Sequence, residues 1–428
     1  MEIALLFTTF FVLLFAGVGV GVSMLMASIV NVLVFGFPVT IVAERTLNTL
    51  NSFTLLAVPF FILSGVIMNR GGLTARMVSV SKAFVGHFRG GTAHVNVVAN
   101  MILSGVSGSA SADCAAIGSA LIPTMKREGY PAGFAAGLTA AASCMGPIIP
   151  PSIVMVIYGS MTNLSIGRLF LGGAIPGIMI GIACMVIVAW KARTLNFPRH
   201  PRLPYRERVP LVVEAVPALL APGIIIGGII SGYYTATEAG VAACVYGLIV
   251  GVFIYRELGF KDIAPIMSEA VETTAIPMFL YTAGGIFGWL LTIYDFGPLM
   301  VDWMKNFQFS QTTMLIVVAI LLLAAGIVID GLAALLIFVP VFMPLVPAYG
   351  VDPIHFALIV IIMIMIGTIT PPIGMQIYIA SAIAKVSLAE MTCWPFVWAM
   401  MAVVLLIILF PPLVTFLPNL VFGALPAP

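Results

Sequence analysis

The chain has 428 residues, of which 61% are hydrophobic and only 8% charged, with a formal net charge of +2 and a mean hydropathy of +1.18. A soluble domain carries about 25% charged residues. This composition therefore cannot cover a water-soluble surface, and most of the chain must face lipid or other buried protein. The five cysteines (Cys114, Cys144, Cys184, Cys244 and Cys393) sit in or beside apolar stretches without Cys-x-x-Cys spacing, and read as small buried hydrophobes.

No Lys or Arg precedes Arg45, so the basic start of a secretory signal is missing, and residues 3–20 read as a retained first span. A crossing helix needs about 20 apolar residues. Further spans are expected at 22–37, 53–69, 132–158, 169–190, 212–232, 237–255, 275–294, 354–380 and 394–417, about ten in all. Segments 38–52 and 257–274 are amphipathic and read as interfacial arm helices. Two long apolar stretches, 94–123 and 311–346, carry polar, Gly-containing centres at Ser104–Asp113 and Gly326–Gly331. Irregular backbone at membrane depth is tolerated only inside protein or beside a wet cavity, so both read as re-entrant hairpins.

Lys and Arg set the orientation. With the N-terminus outside, the cytoplasmic segments hold Arg70, Arg76, Lys82 and Arg89, then Lys126 and Arg127, then six between Lys191 and Arg208, then Arg256 and Lys261, then Lys385. Only Arg45, Arg168 and Lys305 fall outside. The first hairpin then enters from the cytoplasm and the second from the opposite side. Segment 191–210, rich in Pro and Arg, reads as a cytoplasmic linker between two halves, 1–190 and 211–428. Positive-inside bias accounts for its Arg cluster without invoking a lipid contact.

The halves repeat. Gly105, Pro123, Gly129, Gly146, Pro150 and Pro151 match Gly326, Pro344, Gly350, Gly367, Pro371 and Pro372, every pair 221 positions apart. With the topology above, the repeat is inverted, the arrangement that gives secondary transporters two related conformations, one open to each side. Both 132–158 and 354–380 are broken at the same place, Ser143–Ser152 and Ile366–Gly374. Proline removes a donor and glycine loosens the backbone, so the helix unwinds and frees carbonyl oxygens. Such oxygens with Ser and Thr hydroxyls suit a hard cation, and half-helix N-termini suit a carboxylate. Asp113 and Asp330 are the main acids at membrane depth. Asp330 is placed to serve a cation site directly, and Asp113 to cap a half-helix or orient the Ser-rich loop. Glu238, three residues after Thr235, reads as half of a capping box.

These stretches resemble the large membrane subunit of tripartite ATP-independent periplasmic (TRAP) transporters, over essentially the whole chain. The most telling are Gly105–Asp113, Gly146–Tyr158, Thr235–Ala239 and Gly326 through Asp352-Pro353-Ile354-His355-Phe356 to Gly367–Gly374. The resemblance implies an all-α polytopic protein of the elevator type in a bacterial inner membrane. It implies import of a small organic acid (a C4-dicarboxylate, sialic acid or related sugar acid) by Na+ symport. Two repeat-related sites imply two or more Na+. The implied partners are a soluble periplasmic binding protein that delivers the substrate and a small four-helix membrane subunit. That subunit is expected as a separate chain here, because the sequence begins directly with the first span. Carried over by position, one Na+ site involves Ser104, Ser107, Gly146, Ile149 and Pro151, and the other Gly326, Gly367 and Thr370, with Asp330 beside it. Ser109, Ser152 and Gln376 are the candidates for substrate contact.

Competing functions fit less well. No Lys follows Gly, so there is no ATP-binding phosphate loop. Neither His-Glu-x-x-His nor Gly-x-Ser-x-Gly occurs, which disfavours an intramembrane enzyme. A channel would conduct without saturating. A stand-alone carboxylate carrier of the same architecture would share the hairpins and breaks but need no binding protein.

Overall fold

A computed structural model describes residues 1–425, which form α-helices joined by short turns. The chain begins with the paired helices α1 (Glu2–Phe15) and α2 (Val20–Val34), then the arm α3 (Thr40–Leu50). After a bend of 63° at Asn51–Phe53 it continues as α4 (Ala57–Arg70). The cytoplasmic segment expected after α4 holds a further helix, α5 (Leu73–Val85). The first hairpin follows as α6 (Gly91–Ser107) and α7 (Ala110–Arg127), longer at both ends than the sequence suggests. The first broken span is α8 (Ala132–Ser143) and α9 (Ile153–Thr162), and α10 (Ile166–Thr194) closes the first half.

In the second half, α11 (Tyr205–Ile230) and α12 (Ala236–Ile249) form a pair. Together α10 and α11 shorten the linker to ten residues, 195–204. Thr235 and Glu238 make the expected reciprocal cap on α12. Next comes α13 (Ile263–Ile293), then α14 (Phe296–Asn306), in a segment that was expected to be loop. The second hairpin is α15 (Gln311–Val328) and α16 (Gly331–Phe342), followed by the single turn α17 (Leu345–Ala348). The second broken span is α18 (Pro353–Gly367) and α19 (Met375–Ala384). The last expected span is two helices, α20 (Trp394–Leu409) and α21 (Pro412–Phe422), bent by 57° at Phe410-Pro411.

One expectation differs from the structure. Segments 257–274 and 275–294 are not an arm and a separate span. They form the single 31-residue helix α13, with Pro277 inside it. The first half bends at Asn51-Ser52, where Asn51 leaves helical geometry (ψ 58). The second half has no turn-forming residue at that point, so its arm runs straight on. Among the described residues, five helices are long and apolar enough to cross alone, and up to seven if each bent pair is one span. The two expected breaks cut their spans into half-helices of 10 to 15 residues, and α1, α2 and α16 are also short apolar helices.

The repeat survives in backbone detail. Gly129 and Gly350 both take positive φ, +88 and +62, and the repeat-matched bonds Pro150-Pro151 and Pro371-Pro372 are both cis. Tyr130 N donates to Met125 O, and Val351 N, 221 residues on, donates to Val346 O, both at 3.0 Å. Cross-contacts show the inversion. Lys126, at the base of the first hairpin, donates to Ala384 O at the end of α19. Tyr158 on α9 reaches Met343 at the base of the second hairpin. The halves α8–α9 and α18–α19 therefore run antiparallel. They cross where the Cys144 thiol meets Met365 O at 3.4 Å, and those two residues are themselves repeat equivalents.

The second hairpin touches its broken helix backbone to backbone. A Cβ on Gly367 would lie 2.5 Å from Gly326 Cα, and one on Gly326 would lie 2.6 Å from Ile364 O. A Cβ on Gly223 of α11 would meet nothing. Overpacking of a tight core costs about 1–3 kcal/mol, whereas Gly→Ala in an open helix gains roughly 0.5–1 kcal/mol. Gly367→Ala should therefore lower the thermal midpoint in detergent by several degrees, and Gly223→Ala should leave it unchanged or raise it.

Candidate functional site

The two hairpin tips, both helix breaks and the scaffold helices α2, α4 and α13 enclose one cavity of about 900 Å³. This falls within the range of small-molecule pockets, about 300–1,000 Å³. Four half-helices begin on its wall: α7 at Ala110–Asp113, α9 at Ile153-Val154, α16 at Gly331–Ala333 and α19 at Met375-Gln376. The N-terminus of a helix presents unpaired N–H groups and roughly half a positive charge. The charged side chains on the wall are Asp113, Glu269, Glu272 and Asp330, and none is basic.

The first tip is built on a row of polar residues along one face of α6. Asn96 donates to Thr139 Oγ1 at 2.8 Å, Asn100 to Asn96 O at 2.9 Å, and Ser104 to Asn100 O at 2.7 Å. Asp113, fully buried, accepts from Ser107 and, at 3.3 Å, from Ser104. Of its two expected roles, Asp113 thus orients the loop, while the cap of α7 is Ser109, which accepts from Ala112 N. Gly108 turns the chain at φ +61, where a Cβ would strike Pro151 O at 2.8 Å. Gly146 lies directly behind Asp113, its Cβ position 2.8 Å from Oδ2. Ser152 is buried, caps α9 by accepting from Met155 N, and donates to Pro147 O at 2.6 Å.

The second tip is plainer. Asp330 caps α16, accepting from Leu332 N at 3.0 Å. Thr370 is buried and donates to Ile366 O at 2.7 Å, leaving its lone pairs unused. Thr368 lies on the cavity wall and reaches Cys144 at 3.8 Å, which joins the two breaks. Gln376 is buried on the wall, and its Oε1 has no hydrogen-bond partner among the described residues.

The residues expected from sequence fall into two layers. Ser107, Ser109, Asp330 and Gln376 line the cavity. Ser104, Gly146, Ile149, Pro151, Ser152, Gly326, Gly367 and Thr370 stand behind it, where each tip meets its break. Ser152 is thereby held away from the cavity it was expected to face. In the back layer, the carbonyls of Gly146, Ile149, Pro151 and Gly326 accept no hydrogen bond among the described residues. Carbonyl and hydroxyl oxygens of this kind are the class of donor suited to hard cations. No three His, Cys, Asp or Glu side chains gather as a metal cluster among the described residues. Sequence reading missed the Asn96–Asn100–Ser104 row and the wall residues Glu269 and Glu272. The row's spacing of four along one helix was the available signal.

Residues 7–413 match the family model described as "Tripartite ATP-independent periplasmic transporter, DctM component". The chain is 37% identical over 414 residues to the sialic acid TRAP transporter large permease protein SiaM of Vibrio cholerae, covering 96% of this chain and 97% of that one. It is 40% identical over 380 residues to the 2,3-diketo-L-gulonate large permease protein YiaN of Escherichia coli, covering 88% and 89%. The C4-dicarboxylate large permease protein DctM of Pseudomonas aeruginosa is 38% identical over 376 residues, covering 88% and 87%. Among solved structures, Neisseria gonorrhoeae MtrF, of a class of antimetabolite efflux pumps, aligns with a TM-score of 0.61 at 14% identity, over 90% of this chain and 85% of that one. The Alcanivorax borkumensis YdaH transporter aligns at 0.58 and 14% identity, over 90% and 89%. These two likenesses concern the fold.

The packing of the first tip makes a sharp prediction. Gly146→Val would push a side chain into Asp113 and the Ser109-Ala110 backbone. Amide hydrogen exchange at residues 107–112 should rise at least tenfold while the helical circular dichroism stays as in the parent protein.

Proposed function

Because this chain belongs to the DctM family, the large membrane components of tripartite ATP-independent periplasmic transporters, we propose that it imports a small organic acid by Na+ symport with an elevator motion. The protein is a multi-pass permease of the bacterial inner membrane, not an enzyme. The observation that carries the proposal is the charge of the cavity. A site for an organic anion is walled by four carboxylates and no base. Each half-helix N-terminus contributes about 1 kcal/mol, up to ~2 in a partly buried setting. Glu269 is offset by Arg70 at 2.6 Å, and a cation entering with the substrate would offset the remaining acids. In this proposal one cation lies at Ser104, Ser107, Gly146, Ile149 and Pro151, and the other at Gly326, Gly367 and Thr370, where the Gly367 carbonyl already accepts from Thr370 N at 3.0 Å. Asp330 sits at the tip of the second hairpin and adds negative charge beside that group. A cation behind each tip pins the tip to its break and completes the cavity wall. Substrate then lies in front, against Ser109, Gln376 and the helix N-termini. The named substrates of the relatives (sialic acid, 2,3-diketo-L-gulonate and C4-dicarboxylates) are all organic acids. A sugar acid or dicarboxylate is the class proposed here.

The elevator reading is supported by an asymmetry between repeats. The outer half-helix α9 is buried against α4 and α10, from Ile153 to Gly159. Its counterpart α19 packs on α7 and α8 but leaves Met375 and Tyr378 exposed, as is Ile373 just before it. Asn69, Glu269 and Glu272 stand where the cavity nears Arg70, on the positively charged side. This is the arrangement of an inward-open carrier, and exchange of the two environments would give the outward-open one. Partners follow the family: a periplasmic binding protein to present the acid and a small membrane subunit beside the scaffold.

The first test is uptake into proteoliposomes holding this chain and a small membrane subunit encoded beside it. Candidate binding proteins loaded with radiolabelled sialic acid, sugar acids or C4-dicarboxylates are added with and without an inward Na+ gradient. Uptake that needs both Na+ and the binding protein is expected. Uptake with Na+ alone would make the chain a stand-alone carrier, and uptake indifferent to Na+ but driven by a pH gradient would replace Na+ by H+. In the same assay Thr370→Ala, which removes one neutral oxygen ligand worth about 1–1.5 kcal/mol, should raise the Na+ concentration for half-maximal rate roughly five- to tenfold. Unchanged Na+ dependence would remove Thr370 from the site.

A further inference from the structure

At the cytoplasmic end, well away from the central cavity, linker residues 195–204 lie across the turn between α5 and α6. Gly90 N donates to Pro198 O at 3.0 Å, Arg89 to Asn196 Oδ1 at 2.5 Å, and Arg199 Nε to His87 O at 3.4 Å. Beneath this clasp is a second cavity of about 200 Å³, lined by Lys82, Gly86, His87, His200, Pro201 and Leu203. Arg208 donates to Leu203 O at 2.7 Å, and Arg202 sits between the lining residues.

Of the residues lining this pocket, Lys82 carries a fixed charge, and Arg199 and Arg208 reach it by bonding the backbone oxygens of His87 and Leu203. Among the described residues, Lys82, Arg89, Arg199, Arg202 and Arg208 pair with no carboxylate. The nearby acid is Glu128, which already accepts from Thr92 at 2.6 Å and lies 3.4 Å from His200 Nε2. His87 Nδ1 is buried and lacks a hydrogen-bond partner. Burial, then the nearby Arg202, Arg208 and Arg199, holds the His87 imidazole below its ordinary range. Cations gathered around a pocket without counter-charge call for an anion, and forked guanidinium groups match phosphate oxygens. Phe88, exposed, lies with its ring 4.6 Å from the lining residue His87, and Phe84, Trp190 and Leu195 are further exposed apolar residues of α5, α10 and the linker, with Lys191 over Trp190. Aromatic and basic residues side by side mark the membrane interface.

We propose that this pocket binds the phosphate of an anionic phospholipid headgroup, with His87, Lys82 and the linker arginines around the phosphate and the exposed aromatic residues against the acyl chains. The bound lipid fastens the linker to the turn that leads into the first hairpin. Positive-inside bias alone explains why the charges are cytoplasmic, but not why Lys82 lines a cavity whose lining residues His87 and Leu203 are held by Arg199 and Arg208.

Native mass spectrometry of the purified full-length chain, titrated with phosphatidylglycerol or phosphatidylcholine, tests this. The parent protein should retain one phosphatidylglycerol in preference to phosphatidylcholine, and inorganic phosphate should not displace it. His87→Gln with Arg202→Gln should weaken that retention at least fivefold, while Lys261→Gln, a cytoplasmic charge outside the pocket, should not. Should the double variant fail to fold, Lys82→Gln gives the same readout at an exposed position. Equal retention of both lipids by the parent protein, or equal loss in Lys261→Gln, would overturn the site. Displacement by inorganic phosphate would assign the pocket to a soluble phosphate and overturn the lipid.

Discussion

Backbone that leaves its helix inside a membrane must find partners in protein or in a wet cavity, and the rest of this structure follows from that requirement. Two spans are broken at repeat-equivalent places, and they cross at Cys144 and Met365, residues related to each other by the repeat itself. A contact between equivalents lies on the pseudo-symmetry axis. Each break is then covered by its own hairpin, and the cover is close enough that glycine is needed on both sides: Gly108 against Pro151, Gly146 against Asp113, Gly326 against Gly367. The hairpins are the means by which unwound chain is kept from lipid.

The same arrangement sets the electrostatics. Turning four half-helices so that they start on one cavity concentrates N–H dipoles there without placing a single basic side chain. A fixed Lys or Arg would hold an organic anion as firmly on the inside as on the outside. Under the proposed symport, fixed dipoles and a dissociable cation would give a hold that weakens when the cation leaves. The row Asn96–Asn100–Ser104 anchors the first tip by hydrogen bonds alone, so its geometry is set without adding charge to the path.

Much of this was legible in the residues. Matched glycines and prolines at one offset located the repeat, both breaks and both hairpins, because these residue types have few alternative uses inside an apolar span. What stayed hidden depended on surroundings. Pro277 by its residue type does not say that α13 runs through it; the local difference is the Asn51-Ser52 turn that parts α3 from α4 and has no counterpart in the second half. Composition likewise gave α5 and α14 no signature distinct from loop. Sequence position placed Ser152 near the site but could not say which way it points, and its hydroxyl turns back onto Pro147. Glu269 and Glu272 read as arm residues until the fold carried that arm past the cavity.

The uncovered face of α19 has a consequence for how this sequence can change over time. Ile373, Met375 and Tyr378 are exposed here, and in a soluble protein such positions drift freely. Their counterparts around α9 are enclosed by α4 and α10. In a cycle that exchanges the two environments, a side chain on α19 must suit open water and a closed apolar seam in turn. A charge that is harmless in one state would be buried without a partner in the other. Under the proposed elevator cycle, the most accessible surface of α19 would be held to nearly the same chemical restriction as its core.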